Sequence, residues 1–133
     1  MHVVLMHDMS VAQSVCGEII PRLKKKKPSR ISIEMEVGEL RFHSTEQVEF
    51  WIKEIMKKEV GEGIEIKVSI EKVEPEIKCR CGFQGKVDHE HVHTTEELSH
   101  HGVFEMKCPK CGSEDYEIVK GNDVLLKNVK IAE

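Results

Sequence analysis

Four of the five cysteines in this chain form two tight pairs, Cys79/Cys81 and Cys108/Cys111, and no other feature constrains the fold as strongly. The longest apolar run near the N-terminus, Val3–Met6, is too short for a signal segment or a membrane span. The sequence therefore predicts a cytoplasmic protein, in which thiol pools keep cysteines reduced. Paired cysteines in such a protein indicate a metal site before they indicate disulfide bonds.

The second pair lies in the run CPKCG at 108–112, where two thiolates three positions apart can wrap one metal ion. In the first pair a single residue separates the sulfurs, and on an extended segment such side chains point to the same side. Four thiolates leave no coordination position for water or substrate, so the pattern predicts a structural zinc site. Its predicted ligands are Cys79, Cys81, Cys108 and Cys111. Iron suits the same tetrahedral sulfur set, and a disulfide-bonded or simply reduced set is the other alternative.

Apolar residues at helical spacing predict two helices. The first covers 10–24, with Cys16 on its buried stripe and Pro21 expected to kink it or end it late. The second covers 44–58 and begins with a capping box at Ser44.

Strict alternation of apolar and polar residues predicts strands over 30–37 and 64–71, and strand-like composition returns at 118–119 and 124–131. Between 78 and 111 apolar residues are too sparse to bury much of a core. The predicted fold class is α+β: a small antiparallel or mixed three-stranded sheet with two helices, plus an inserted zinc-ribbon-like module. The predicted domains are 1–75 together with 122–133, and 76–121.

The balance of charge also limits the function. The chain has 24 acidic and 20 basic residues, a net charge of −4, whereas nucleic-acid binding needs a basic stripe. The basic run at 24–27 is interpreted as a solvated helix end. No nucleophile–base pattern is evident, and a closed sulfur site has no vacancy for catalysis. We therefore expect neither an enzyme nor a nucleic-acid-binding or membrane protein.

Histidine is the other enriched metal-binding residue, with eight in the chain, five of them between the cysteine pairs. On an extended segment His89, His91 and His93 would share a face that could bind a transition metal. We favour a second interpretation, a mobile polar loop in which these histidines, with His100 and His101, are solvated. We interpret His43, just before the second helix, as a capping or surface residue.

Two further histidines each follow a methionine, in Met1-His2 and Met6-His7. A histidine directly after the first residue of a chain can combine the α-amine, a backbone amide nitrogen and the imidazole as adjacent donors. This geometry favours Ni(II) or Cu(II). The arrangement predicts a second metal site near the N-terminus.

Motifs along most of the chain resemble one known family. The runs MHDMSVAQS at 6–14, VGEL at 37–40, CPKCGS at 108–113 and GNDVL at 121–125 are similar, in the same order, to motifs of the HypA family of hydrogenase nickel-incorporation proteins.

This resemblance implies a metallochaperone rather than an enzyme. It implies that His7 supplies an imidazole to nickel, that Asp8 stands where the family has Glu, and that the four paired cysteines hold zinc. It also implies transfer of nickel, together with a HypB-type GTPase or ATPase, to the large subunit of [NiFe]-hydrogenase, and in some organisms to urease. A zinc-ribbon adaptor without nickel cargo is the alternative function.

The sequence departs from the family pattern in three ways. Five residues precede Met6, so either translation begins there, or the nickel site lacks an amine donor, or His2 with the Met1 amine replaces it. The carboxylate of Asp8 is one methylene shorter than that of Glu. The first cysteine pair has one intervening residue where the family usually has two.

Overall fold

The computed structural model describes residues 3–24, 26–101 and 103–132, and it describes no side chain at 3–7, 89 or 100. The prediction for His2 lies outside the described residues. The chain packs as two compact units. The first unit contains Met1–Glu36, His43–Glu71 and Leu125–Glu133, and the second contains Val37–Phe42 and Lys72–Val124.

Helix α1 (Val3–Ile19) starts seven residues earlier than the sequence predicted. The prediction of a start at Ser10 was wrong because no proline or glycine interrupts the preceding residues, so nothing ends the helical run there. The expected break at Pro21 is confirmed. The chain tightens into a 3-10 helix over Ile20–Leu23, as expected where proline removes a backbone donor.

Helix α2 (Thr45–Glu59) matches its prediction closely. Ser44 is its N-cap residue, and the Ser44 hydroxyl accepts a hydrogen bond from the backbone N–H of Gln47 at 3.3 Å. Three side chains of α2 are fully buried and pack in the core of the first unit, where α2 contacts α1. They are Val48, Ile52 and Met56.

Three nine-residue strands form a mixed sheet in the order β2-β1-β8. The strands are β1 (Arg30–Gly38), β2 (Glu65–Val73) and β8 (Val124–Ala132). The carbonyl of Ser29, just before β1, accepts from the N–H of Glu65, while its own N–H donates to the carbonyl of Ala132. The start of β1 therefore lies beside the start of β2 and the end of β8, so β2 is parallel to β1 and β8 is antiparallel. The predicted α+β fold with a mixed three-stranded sheet and two helices is confirmed.

The second unit contains short elements that hold a small core. Strands β3 (Glu76–Cys79), β4 (Gln84–Lys86) and β7 (Tyr116–Lys120) form an antiparallel sheet in the order β4-β3-β7. A second pair of strands, β5 (Val92–His93) and β6 (Glu105–Met106), flanks helix α3 (Glu96–His100). Six buried side chains form the core: Leu40, Ile77, Cys79, Val87, Met106 and Cys108.

One residue of this core lies outside the predicted module of residues 76–121. Leu40 comes from the segment Val37–Phe42, and its N–H donates to the carbonyl of Gly121 at 2.9 Å. Two of the six buried side chains are cysteines of the paired set. The described helices include none that is both long and apolar enough to cross a membrane.

Cys16 is buried on α1, as predicted, and its thiol lies 3.8 Å from the carbonyl oxygen of Ile52. Burial raises the pKa of this thiol to about 11. Because the folded-state pKa lies above the unfolded value, the neutral thiol adds stability below pH 9 that is lost as the pH rises through 11.

We therefore expect the free energy of unfolding to fall more steeply between pH 9 and 11 in the wild type than in Cys16→Val, which cannot titrate. The difference amounts to at most about 3 kcal/mol for a shift of two pH units. Urea denaturation across this pH range measures it. Parallel curves for the two proteins would contradict the assignment.

Candidate metal centres

The structure brings the four paired cysteines of the second unit together. All four Sγ atoms lie within 4.8 Å of one another. The Sγ atoms of Cys79 and Cys111 are 3.6 Å apart, and those of Cys81 and Cys108 are 3.8 Å apart. These distances are far above the about 2.05 Å of a disulfide bond, and all four thiols are free.

The spacing of the sulfurs fits one tetrahedral metal ion. An ion with metal–sulfur bonds of about 2.3 Å holds its four sulfurs about 3.8 Å apart. Two of the sulfur–sulfur distances match this value without rearrangement. Among the residues whose side chains the structure describes, this is the one group of three or more histidine, cysteine or acidic side chains placed to share a metal.

The turn after Cys108 holds the second pair as predicted. The N–H of Gly112 donates to the carbonyl of Cys108 at 2.9 Å, and Gly112 has a φ angle of 75°. A residue with a side chain is strained at that angle, so glycine allows the chain to close behind the two sulfurs. The N–H of Cys108 also donates to the carbonyl of Ser113, which completes the loop.

The first pair reaches the site by a different geometry from the one predicted. Cys79 is the last residue of β3, but Cys81 lies in the following turn, where the N–H of Gly82 donates to the carbonyl of Cys79 at 3.0 Å. The prediction of one extended segment was wrong because the turn of the β3–β4 hairpin begins directly after Cys79. As a result Cys79 is buried in the small core while Cys81 is exposed.

The surroundings shift the pKa values of Cys79 and Cys108 in opposite directions. The N–H of Cys81 lowers the pKa of Cys79, but burial and the three neighbouring thiols outweigh it and raise that pKa to about 12. Burial raises the pKa of Cys108, but the N–H groups of Cys111 and Lys110 and two neighbouring thiols lower it to about 7. Cys108 therefore loses its proton more readily than Cys79, and a divalent cation bound by the cluster would displace the remaining thiol protons.

One ion pair joins the two cysteine loops at the surface. Nη1 of Arg80 lies 3.0 Å from Oδ2 of Asp115, and the carbonyl of Asp115 accepts from both the N–H of Arg80 and the thiol of Cys79. Exposed ion pairs contribute little stability. The contacts with Asp115 instead fix geometry, because they hold the turn after β3 beside the loop that follows Cys111.

The predicted nickel residues, His7 and Asp8, lie in the second turn of α1. The side chain of His7 is outside the described residues. Asp8 is almost completely buried, with 1% of its surface exposed. Its Oδ1 lies 2.9 Å from Nδ1 of His43 and accepts from the N–H of Ser44 at 3.3 Å.

The helix changes what the backbone near His7 can offer a metal. The predicted donor set at Met6-His7 includes a backbone amide nitrogen, but both residues lie within α1. An amide that donates inside a helix is available to a metal only if that turn unwinds. In the helical form the side chains of His7 and Asp8 are therefore the donors that this segment offers.

The histidines between the cysteine pairs do not lie on one extended segment, which a shared metal-binding face would require. His89–His91 form a 3-10 helix, and only His93 of the alternating set lies on a strand. His93 and His101 are exposed. The mobile-loop interpretation missed the pairing of β5 with β6 and the short helix α3.

Sequence reasoning placed His43 at the surface or in a cap, and this interpretation was wrong. The side chain of His43 is completely buried and contacts Asp8, 35 residues earlier in the chain. No local pattern marks such a pair, since its members meet only when α1 packs against α2. The available signal was that Asp8 lies in the run MHDMSVAQS and that His43 directly precedes the capping box at Ser44.

Comparison with known proteins decides the family. The sequence profile of the family described as hydrogenase/urease nickel incorporation, metallochaperone, HypA, matches residues 6–131. The chain belongs to the HypA family. The predicted resemblance is confirmed, and the match begins at Met6, so it includes the Met6-His7-Asp8 run of this HypA-family chain.

HypA proteins of three organisms are similar to this chain over almost its whole length. The hydrogenase maturation factors HypA of Pyrococcus abyssi and of Thermococcus onnurineus are each 33% identical to this chain, over 95% of it and 96% of the relative. That of Methanothermobacter thermautotrophicus is 29% identical, over 95% of this chain and 97% of the relative.

Solved structures agree on the fold. The solution structure of the Ni metallochaperone HypA from Helicobacter pylori matches with a TM-score of 0.56 and 16% identity, over 94% of this chain and 97% of that one. A second solution structure of a HypA protein gives a TM-score of 0.55 at 19% identity. At such identities the likeness supports the HypA fold alone.

Proposed function

We propose that this HypA-family protein is a nickel metallochaperone that binds Ni(II) and delivers it during maturation of [NiFe]-hydrogenase. The observation that carries the proposal is the family match over residues 6–131. A chaperone must hold its cargo firmly enough to select it and loosely enough to release it. A site with few protein donors and open coordination positions meets that need, whereas a closed sulfur cage does not.

The proposed nickel ligands are the imidazole of His7 and the carboxylate of Asp8. The carboxylate of Asp8 supports this role, because its Oδ2 is buried without a hydrogen-bond partner among the described residues. A buried carboxylate oxygen without a donor is costly, and a bound cation offsets that cost.

The proposed resident metal is zinc, held by Cys79, Cys81, Cys108 and Cys111. The tetrahedral spacing of the four sulfurs supports this assignment. Since every position around the ion would be filled by sulfur, its part is to fold the second unit and not to react. The proposed division of labour follows the predicted domains: residues 1–75 with 122–133 for nickel, and 76–121 for zinc.

The proposed partners are a HypB-type GTPase or ATPase and the large subunit of [NiFe]-hydrogenase. Family membership supports a hydrogenase partner, because the family is described by nickel incorporation into hydrogenase, and the HypB-type partner is what the resemblance implies. The proposed location is the cytoplasm, a compartment in which the five free cysteines would stay reduced.

Nickel titration of the zinc-loaded protein tests the proposal. We expect the wild type to bind one nickel ion at micromolar concentration, and His7→Ala to bind it about 100-fold or more weakly. Loss of a group that only supports a metal ligand already costs about 10- to 100-fold. Isothermal titration calorimetry gives the affinity, while metal analysis and circular dichroism check that zinc and fold are unchanged.

His101→Ala is the matched control, since His101 is an exposed histidine in the second unit. His2→Ala distinguishes the other predicted donor, and a loss confined to that variant would exclude His7. A wild-type protein that holds zinc but ignores nickel would favour the adaptor function. Iron in place of zinc on metal analysis would overturn the assignment of the sulfur site.

A further inference from the structure

Among the described residues, the buried polar or charged side chains are those of Asp8 and His43, and these two contact each other. Their side chains are 1% and 0% exposed, and 2.9 Å separates Oδ1 of Asp8 from Nδ1 of His43. An ionised carboxylate only accepts hydrogen bonds, so Nδ1 of His43 is the donor. The N–H of Ser44 donates to the same oxygen at 3.3 Å.

Both donors therefore bind Oδ1 of Asp8, and neither of them binds Oδ2. Among the described residues, Oδ2 has no hydrogen-bond partner although it is excluded from water. Two donors on Oδ1 fix the plane of the carboxylate, and this determines the direction in which the lone pairs of Oδ2 point. A buried pair that served only packing would be expected to satisfy both oxygens.

The donor from Ser44 is fixed in place by helix α2. Ser44 is the N-cap of α2, its hydroxyl is hydrogen-bonded to the N–H of Gln47, and α2 continues for 15 residues. The N-terminus of a helix carries a partial positive charge, which attracts a carboxylate placed against it. Asp8 is thus held by the start of one helix while it belongs to another.

We propose that His43 is a positioning residue for nickel: it binds Oδ1 of Asp8 and so presents Oδ2 to the metal. This inference rests on the proposed function, because it concerns the same nickel ligand. Hydrogen bonds to the second oxygen of a metal-binding carboxylate orient it and reduce the entropy lost when the metal binds. His43 itself does not coordinate nickel in this arrangement.

Two near-isosteric substitutions test the proposal. In His43→Asn the amide nitrogen replaces Nδ1 and keeps a donor for Oδ1, whereas in His43→Gln the amide lies farther out, nearer to the position of Nε2. We expect His43→Asn to retain nickel affinity close to that of the wild type. We expect His43→Gln to bind nickel about 10- to 100-fold more weakly.

Three readouts separate positioning from folding. Nickel K-edge X-ray absorption reports the ligands, and we expect His43→Gln to lose an oxygen ligand that His43→Asn keeps. The emission of Trp51, the single tryptophan, on α2, reports the fold of the first unit. Zinc content reports the fold of the second unit. We expect Trp51 emission and zinc content to be unchanged in both His43→Asn and His43→Gln.

The possible results are distinct. Equal nickel affinity in His43→Gln and the wild type would overturn the positioning role while the proposed function stands. Equal weakening in both variants would overturn it as well, since the donor at the Nδ1 position would then not matter. A wild type that binds no nickel overturns both proposals.

A structure of the nickel-loaded wild type provides a second test that needs no variant. We expect the metal on Oδ2 of Asp8, with Nδ1 of His43 still on Oδ1. Nickel bound directly to the imidazole of His43, or Asp8 turned away from His43, would show the assignment to be wrong.

Discussion

Replacing Cys108 with serine is expected to release zinc and unfold the second unit of the protein. Cys108 is one of the four converging thiols and also one of the six side chains that, among the described residues, form the buried core of that unit. So small a core cannot offset the conformational entropy of its loops. A structural zinc ion contributes about 10–16 kcal/mol to the folding of small metal-binding domains.

Metal analysis and ¹⁵N–¹H correlation spectra measure this result, with loss of zinc and collapse of the signals from residues 76–120 expected. Cys16→Ala is the matched control, because Cys16 belongs to the first unit and is not one of the four converging thiols. It should keep stoichiometric zinc. A Cys108→Ser protein that retained both its zinc and dispersed signals would rule out the four-sulfur site.

Gly38→Ala is expected to destabilise the protein by roughly 3 kcal/mol or more, the upper part of the range for overpacked positions. A Cβ atom at position 38 would lie 2.3 Å from the carbonyl carbon and oxygen of Gly121 and 2.6 Å from the N–H nitrogen of Asn122. These are backbone atoms, which cannot rotate away. The N–H of Gly38 also donates to the carbonyl of Asp123, so relief of the clash breaks that bond.

Gly17→Ala is the control for this prediction. Gly17 lies inside α1, and a Cβ there meets nothing within 4 Å. Alanine in a helix interior stabilises by about 0.5–1 kcal/mol relative to glycine, so the two substitutions should shift the melting temperature in opposite directions. If both changed it alike, the close approach at Gly38 would not be the cause.

Much of the fold could be predicted because its signals are local. The alternation in β1 and the cap at Ser44 are each complete within a few residues, and both were located to within one or two positions. The paired cysteines were equally informative, since four paired thiols indicate a metal site whatever the conformation of the loops that carry them.

The rest depended on tertiary contacts. The start of α1 could not be read from the sequence because apolar residues 3–6 are compatible with either a helix or a loose end. The position of Leu40 in the core of the second unit, and the partnership of His43 with Asp8, join segments far apart in sequence. A local sequence pattern cannot predict contacts between residues so far apart in the chain.

The close approach at Gly121 also bears on how such a protein could evolve. A Cβ at Gly121 would lie 2.6 Å from Cα of Pro75, so the residues that open and close the stretch between them are neighbours in space. A stretch whose two ends meet can grow or shrink between them without stretching the chain on either side. Lineages could thus vary the length and sequence of this excursion while the flanking scaffold is inherited unchanged.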